Sequence, residues 1–365
     1  MQVLLFRSLV AAAILAVALP QEAAAGTTAA LESVNYGAFT QTATYSVANQ
    51  LGFFIAYGLN VTFLQVPNST YGYAQLLNGG YDIMTGTIDN AVNFRFNSND
   101  SLTVTGQLDQ GPELTVASIP NITSVAQLKG LSLMVDSAVS GYAYILRKVL
   151  ALYGLHLEDG DYSFQVVGST ITRYADLVAG QLPNGTAVYA TILTYPFTSE
   201  ASVVPVDQRP NILARVSDFI QPFTSSAFTV RNQALSNTTQ RALIRTFMAA
   251  MYSANQFLAD PAQKNCSIAA IANQLNVSTA AATSAYSSAI DPLTGETSSP
   301  GSNFTVNRQG LLNVIDVRSQ FDGFTEVLAG FNFAEAILPS AGNLIDSSVR
   351  DEALNATVQY SPISC

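Results

Sequence analysis

The chain has 365 residues, with 15 lysines and arginines against 25 aspartates and glutamates, and a formal net charge of −10. This charge balance argues against a nucleic-acid partner, and the length is sufficient for two domains of ordinary size. Only 11% of the residues are charged, so solubility must come partly from another source.

The first 25 residues have the pattern of a secretory signal peptide. Arg7 supplies a positive charge, residues 9–19 form an apolar run, and residues 23–25 are alanines that suit cleavage. A membrane anchor is the alternative, but the run is too short to span a bilayer and Pro20 ends it. We therefore expect residues 1–25 to be removed, leaving a secreted, extracellular protein without a stable membrane anchor.

The next region alternates strand and helix patterns in the order β-α-β-α-β. Its predicted elements are a strand over 31–39, a helix over 40–58, a strand over 60–66, a helix over 71–78 and a strand over 81–86. Gly58 is a plausible end for the first helix. Such a unit predicts a parallel sheet with right-handed crossovers.

A second unit repeats this element order without repeating the sequence. Its predicted elements are a strand near 114–120, a short helix and strand over 125–136, a helix over 137–154, a strand over 162–168, a helix over 171–180 and a strand over 186–193. Ser137 and Ser140 are both candidates to cap the long helix. The repeated order indicates two similar lobes.

The pattern changes after residue 221. A strand over 223–235 is followed by helices over 239–259, 264–275, 308–321 and 324–331. This order indicates that the chain leaves one lobe, builds a second and returns to the first. We predict lobe 1 over 26–111 and 222–365, and an inserted lobe 2 over 112–221.

Two cysteines and ten N-glycosylation sequons fit an oxidising, secretory environment. Cys266 and Cys365 are expected to form a disulfide, two free thiols being the alternative. The sequons are at Asn60, Asn68, Asn99, Asn121, Asn184, Asn237, Asn265, Asn276, Asn303 and Asn355. Glycans at these positions would cover surface that charge does not.

Several segments together resemble the solute-binding family of type II periplasmic binding proteins that includes receptors for taurine, aliphatic sulfonates and thiamine-pyrimidine precursors. The resemblance lies in "LGFFIAYGLNV" over 51–61, "YAQLLNGGYDIMTG" over 73–86, "VAQLKGLSLMV" over 125–135 and "YADLVAGQLPNGTAVYATILTYP" over 174–196. It implies an α/β fold with two lobes, each a mostly parallel sheet flanked by helices, and a ligand cleft between them. The sequon load suggests a eukaryotic, fungal member, so no importer partner is assumed.

The same family resembles an enzyme that makes the thiamine pyrimidine with a cysteine-rich motif and an active-site histidine. This chain has two distant cysteines and one histidine, His156, just past a predicted helix end, where a solvated or capping role is expected. No hydrolase, zinc-protease or P-loop motif is present. We therefore predict no catalytic residues, no metal and no cofactor.

Candidate ligand-binding residues follow the carboxyl ends of the predicted strands, where ligands bind in open α/β sheets. They are Tyr36, Phe39, Thr40 and Gln41 after the first strand, Thr87, Asp89 and Asn90 after the third, Ser137, Ser140, Gly141 and Tyr142 after the first strand of the second unit, and Thr194 and Tyr195 after its last strand.

Each of these groups has a second interpretation. Residues 137–141 open a helix and can bind an anion or a carbonyl, or simply cap that helix. The aromatic residues can clasp a ligand or pack in the core. Asp89 can pair with a ligand amine or cap its own helix. Because these loops contain no arginine or lysine, we expect a neutral, zwitterionic or amine-bearing ligand.

The sequence therefore predicts a monomeric, secreted solute-binding protein for a small polar, heterocyclic or amine-bearing molecule. One alternative is an enzyme that has reused the fold, either a pyrimidine-precursor synthase or a hydrolase. Another is a secreted surface or effector protein whose cleft is vestigial.

Overall fold

The computed structural model describes residues 30–361, and from Leu31 onward these residues belong to one compact unit. The predicted signal peptide lies outside the described residues. Cys365 does as well, so its disulfide with Cys266 stays a prediction. Cys266 itself is not a free thiol.

Five strands form the sheet of lobe 1. Its first part comprises β1 (Glu32–Ala38), α1 (Ala43–Gln50), α2 (Phe53–Ala56), β2 (Leu59–Gln65), α3 (Ser69–Asn78), β3 (Ile83–Thr87), α4 (Ile88–Phe96) and β4 (Leu102–Gln107). β1 lies between β2 and β3 and is parallel to both, as the β-α-β-α-β pattern predicts.

The sheet of lobe 2 is built in the same way. Its elements are β5 (Thr115–Ser118), β6 (Ser132–Val135), α5 (Gly141–Leu152), β7 (Ser163–Val166), α6 (Thr170–Ala179), β8 (Ala190–Leu193), α7 (Phe197–Ser202) and β9 (Asn211–Arg215). The sheet order is β7-β6-β8-β5-β9, with β6 parallel to both β7 and β8.

The chain then returns to lobe 1. The returning elements are β10 (Ser226–Arg231), α8 (Asn232–Ser236), α9 (Thr238–Ala259), α10 (Lys264–Leu275), α11 (Thr279–Ala289), α12 (Arg308–Ser319), α13 (Phe333–Ala336) and α14 (Ser348–Leu354). β10 completes the first sheet in the order β2-β1-β3-β10-β4 and is antiparallel to both of its neighbours.

Each sheet thus contains one antiparallel strand that enters from the other lobe. β5 follows β4 across the first connection, and β10 follows β9 across the second. The two sheets therefore share one topology, with β1 and β6 in equivalent positions. The lobe boundaries at residues 111–112 and 221–222 stay a prediction.

Some predicted elements differ from those found. The helix predicted over 40–58 is interrupted at Gly52, whose φ of +78° is left-handed, and the chain turns again at Gly58 with φ of +75°. The helix predicted over 324–331 is wrong, since that segment contains turns and bends instead. β4, β9 and α11 were not predicted.

The core of lobe 1 is built from segments that are distant in sequence. α1 contacts α9 and α10, and aromatic rings fill the space between these helices and the sheet. The ring of Tyr36 lies 5.0 Å from that of Phe247 on α9, measured between centroids. This packing fixes the first strand and the start of α1, both of which border the space between the lobes.

Among residues 30–361, no helix is both long enough and apolar enough to cross a membrane.

Candidate ligand-binding site

A cavity lies between the two lobes, at the carboxyl ends of their central strands. Phe39 and Thr40 follow β1, Asp136 follows β6, and Thr194 follows β8, and all four line this cavity. Parallel strands that end at one edge bring such loops together. The two lobes therefore contribute facing walls.

The lining combines hydroxyls, carboxylates, one guanidinium and aromatic rings. It consists of Phe39, Thr40, Thr42, Thr85, Gly86, Thr87, Asn90, Asp109, Pro112, Asp136, Ser140, Tyr142, Thr170, Arg173, Thr194, Tyr195, Ser226 and Glu296. The free space is about 40 Å³. A buried water needs roughly 10–15 Å³, so this closed arrangement has space for a few waters or for a comparably small ligand.

The sequence-based candidates divide into two groups. Those that line the cavity are Phe39, Thr40, Thr87, Asn90, Ser140, Tyr142, Thr194 and Tyr195. Those outside the described lining are Tyr36, Gln41, Asp89, Ser137 and Gly141. The binding role of both groups stays a prediction, but the contacts of the second group show other roles for most of its members.

Tyr36 and Gln41 are engaged within lobe 1. The Tyr36 hydroxyl donates a hydrogen bond to Thr85 Oγ1 at 2.8 Å, and its side chain is fully buried. Gln41 Oε1 accepts from Gln274 Nε2 at 2.8 Å. Tyr36 therefore belongs to the core, and Gln41 joins the start of α1 to α10.

Asp89 forms a buried ion pair with Arg318 of α12. Both side chains are almost completely buried, and Arg318 Nε lies 3.0 Å from Asp89 Oδ1. Arg318 also donates to the carbonyl of Val139 at 2.9 Å and stacks on Tyr144, with 4.2 Å from Cζ to the ring centroid. Asp89 thus anchors a contact between the lobes.

The start of α5 is satisfied by protein groups. Ser140 is its N-cap, and its Oγ accepts from the Ala143 N–H at 3.4 Å. The Gly141 N–H donates to Asn90 Oδ1 of lobe 1 at 2.9 Å. Ser137 is half-buried and is not the cap.

A second hydrogen bond between the lobes has its donor in lobe 1 and its acceptor in lobe 2. Asp136 of lobe 2 accepts from the Ser69 N–H, at the start of α3 in lobe 1, at 3.2 Å. Each lobe therefore supplies a side chain to a helix start in the other. These bonds hold the cavity closed.

Arg173 supplies the positive charge of the cavity, and the sequence reasoning missed it. It lies within α6, one turn after the helix begins, rather than in a loop after a strand. Its guanidinium donates to Thr191, Gly168 and Thr170, which accounts for three of its five N–H groups. The loops themselves contain no basic residue, but a helix brings one to the cavity.

Three carboxylates also line the cavity, and two of them are in tightly buried surroundings. Asp136 Oδ1 lies 3.8 Å from Arg173 Nη1. Burial raises the pKa of Asp109, although hydrogen bonds from Ser226 and Gly111 act against this shift. Burial likewise raises the pKa of Glu296 to about 7, against hydrogen bonds from Thr44 and Ala43.

The aromatic part of the lining contains a hydroxyl without a partner, and a tyrosine hydroxyl can both donate and accept. Tyr195 is 2% exposed, and its hydroxyl has no hydrogen-bond partner among the described residues. A buried hydroxyl without a partner costs free energy, so such groups in native proteins usually serve a function. Tyr195 is therefore suited to bond a ligand.

The sequence predictions for the histidine and for metal binding are separate from those for the cavity lining. His156 is exposed at the far end of α5 and is not part of the described lining. Across residues 30–361, no three His, Cys, Asp or Glu side chains are grouped closely enough to hold a metal ion.

The model of the NMT1/THI5-like family matches residues 39–264, which is more than half of the chain. The chain belongs to this family. No curated protein sequence matches it. The matched residues of this NMT1/THI5-like protein include every strand of the two sheets except β1, and all of the described cavity lining except Glu296.

Solved structures with the same fold cover nearly the whole chain. The periplasmic nitrate-binding protein NrtA from Synechocystis has a TM-score of 0.68 and 13% identity, covering 89% of this chain and 89% of its own. The alkanesulfonate-binding protein SsuA from Xanthomonas axonopodis, bound to MOPS, has a TM-score of 0.62 and 17% identity, covering 81% and 94%.

A eukaryotic protein is also similar. A Candida albicans protein with the generic periplasmic binding protein fold has a TM-score of 0.60 and 18% identity, and the match covers 92% of this chain and 98% of that one. At these identities the likeness shows the fold. This NMT1/THI5-like protein therefore has the two-lobed α/β fold of solute-binding proteins.

Proposed function

We propose that this protein binds a small polar molecule in the closed cavity between its lobes, and that the molecule carries an amino or other hydrogen-bond-donating group. The single observation that carries the proposal is Tyr195, which lines the cavity and whose buried hydroxyl has no partner among the described residues. A receptor accounts for this group, because the ligand supplies the missing bond.

The charges of the cavity support the amine. Asp109, Asp136 and Glu296 face one guanidinium, Arg173. When all three carboxyls are ionised, the cavity has a net charge of −2 from these four side chains. A cationic group on the ligand would reduce this negative charge. Arg173 provides for an acidic or carbonyl group on the same molecule, so a zwitterion also suits the site.

The small free volume supports a compact ligand. The nitrate-binding and alkanesulfonate-binding relatives bind small molecules in proteins of the same fold. A heterocycle with an exocyclic amine is larger than the closed space, so the lobes would have to open to admit it and place its ring beside Phe39 and Tyr142. Closure by rotation of the lobes would then surround it.

Secretion and glycosylation belong to the same proposal. Eight of the ten sequon asparagines are exposed, and the other two, Asn68 and Asn303, are half-buried. An accessible asparagine is a requirement for modification, so the exposure of these eight supports glycosylation. Peptide mapping of protein secreted by a fungal host, before and after enzymatic deglycosylation, would identify the occupied sites.

Tyr195→Phe is the direct test of the binding site. Removing an unpartnered hydroxyl should leave the folded protein as stable or more stable by about 1 kcal/mol. It should weaken binding of a ligand that uses this group by roughly five- to a hundred-fold. The ligand would first be identified by native mass spectrometry of the secreted protein, and its affinity for both proteins would be measured by calorimetry.

Tyr286→Phe is the matched control, because Tyr286 is a buried tyrosine of α11 outside the described lining. It should leave ligand affinity unchanged. Equal affinities for the wild type and Tyr195→Phe would show that the ligand does not occupy this cavity.

A further inference from the structure

The start of α1 borders the cavity and is closed by a carboxylate from a distant part of the chain. The Ala43 N–H donates to Glu296 Oε1 and the Thr44 N–H donates to Glu296 Oε2, both at 2.7 Å. The next N–H, of Tyr45, donates to the side chain of Thr42 at 3.1 Å. The first donors of the helix are therefore used within the protein.

Glu296 is held firmly in this position. It lies in the loop between α11 and α12, about 250 residues after α1 in sequence. Asn255 of α9 donates to the Glu296 carbonyl at 3.0 Å and to Thr44 Oγ1 at 2.9 Å, so one buried amide joins the loop to α1. Glu296 and Asn255 are each 1% exposed.

A helix start of this kind favours a negative group, because its free N–H donors and the positive end of its dipole face the same way. In α1 the protein itself supplies that group. A ligand anion at this position would have to displace Glu296 from two hydrogen bonds and would lie beside its charge.

Glu296 lines the cavity together with Tyr195, the buried tyrosine whose hydroxyl has no partner among the described residues. An ionised carboxylate only accepts hydrogen bonds. A ligand group that contacts Glu296 must therefore donate, and a cationic donor gains the attraction of the charge as well.

We propose that Glu296 determines the specificity of the cavity: it blocks the anion-binding start of α1 and selects a ligand with an ammonium or other donor group on the lobe 1 side. This inference rests on the proposed function, because it assigns one part of the ligand within the same cavity. It adds that the acidic part of a zwitterion must point away from α1, toward Arg173.

Glu296→Ala tests the binding of an anion and the binding of a cation separately. The variant frees the N–H groups of Ala43 and Thr44 and removes the negative charge, so it should bind methanesulfonate at least about tenfold more tightly than the wild type does. It should bind ethylamine at least about tenfold more weakly. Calorimetry at pH 8 with these two probes would measure both changes.

Glu296→Gln is the second variant and retains the size of the side chain. It removes the charge without opening space, so it should lose ethylamine binding while gaining less methanesulfonate binding than Glu296→Ala does. Glu326→Ala removes one carboxylate from the exposed segment between α12 and α13. It should bind both probes as the wild type does.

The outcomes distinguish this inference from the proposed function. A wild type that binds methanesulfonate as tightly as Glu296→Ala would show that α1 is not blocked, and would overturn the role of Glu296 while leaving the cavity as the binding site. A folded Glu296→Ala protein with unchanged affinity for both probes would also overturn it. If the wild type and both variants bound neither probe, the proposed function would fail with it.

Discussion

The two lobes have the same sheet order, yet their equivalent helices begin in different surroundings. α1 follows β1 and is closed by the Glu296 carboxylate, which comes from its own lobe. α5 follows β6 and is closed by Ser140 and by the neutral amide of Asn90, which comes from the other lobe. Equivalent topology thus places equivalent helix starts at the cavity, but the side chains that close them come from different places: a distant loop for α1, and α4 and the cap residue itself for α5.

The same contrast extends across the cavity. Lobe 1 contributes Glu296 and, at the first connection, Asp109, whereas lobe 2 contributes Arg173 together with Asp136. A cavity built from two similar lobes can therefore be electrically asymmetric. This asymmetry lets one orientation of a zwitterion be preferred over the other.

Breaking the buried ion pair that holds Arg318 against lobe 2 should have the largest effect. Arg318→Met leaves Asp89 buried without its partner, which typically costs about 3–5 kcal/mol. Arg241→Met is the control, because its pair with Glu352 is partly exposed and should be worth about 1 kcal/mol or less. Urea unfolding followed by circular dichroism would compare the two, and equal midpoints would contradict the structural role of Arg318.

The pH dependence of stability should distinguish Glu296, which lobe 1 contributes to the cavity, from the carboxylates of lobe 2. Burial raises the pKa of Glu296 from 4.5 to about 7, so the folded chain keeps a proton that the unfolded chain has lost in this range. The stability that this group contributes is present at low pH and is lost as the pH rises from about 4.5 to about 7, by up to about 3 kcal/mol.

Glu296→Gln should flatten this part of the pH profile, as measured by urea unfolding at pH 5 and pH 7.5. Glu200 on α7 of lobe 2 is also buried enough for its pKa to rise to about 7. Glu200→Gln therefore tests whether lobe 2 contributes in the same direction. A Glu296→Gln protein with the slope of the wild type would show that this carboxyl does not titrate in the range.

The hydrogen bonds that cross between the lobes should have the smallest effect on stability. Asn90→Ala removes the acceptor for the Gly141 N–H, which should cost about 1–2 kcal/mol. Asn68→Ala removes a similar cap, for the Tyr71 N–H at 2.8 Å, but within lobe 1. Only Asn90→Ala should increase the radius of gyration measured by small-angle scattering of unglycosylated protein.

A larger radius for both variants, or for neither, would show that the bond from Gly141 to Asn90 does not favour closure. A larger radius for Asn90→Ala alone would identify it as a contact of the closed arrangement.

Much of the fold follows from local patterns in the sequence. The alternation in β1 and β2, Gly58 at the end of the first helical segment and the capping role of Ser140 are properties of a few adjacent residues. Such patterns are short-range consequences of backbone geometry and side-chain hydrogen bonding. They were sufficient to predict both parallel units and to bring eight cavity residues into the candidate list.

The polarity of the site depended on tertiary structure. Arg173 reaches the cavity from within a helix, and Glu296 reaches it from a loop about 250 residues beyond the helix that it caps. Asp89, which follows a strand as a binding residue would, is instead paired with Arg318, 229 residues later. The local sequence around each residue contains no signal for such partners, because they are brought together only when distant segments pack around the two sheets.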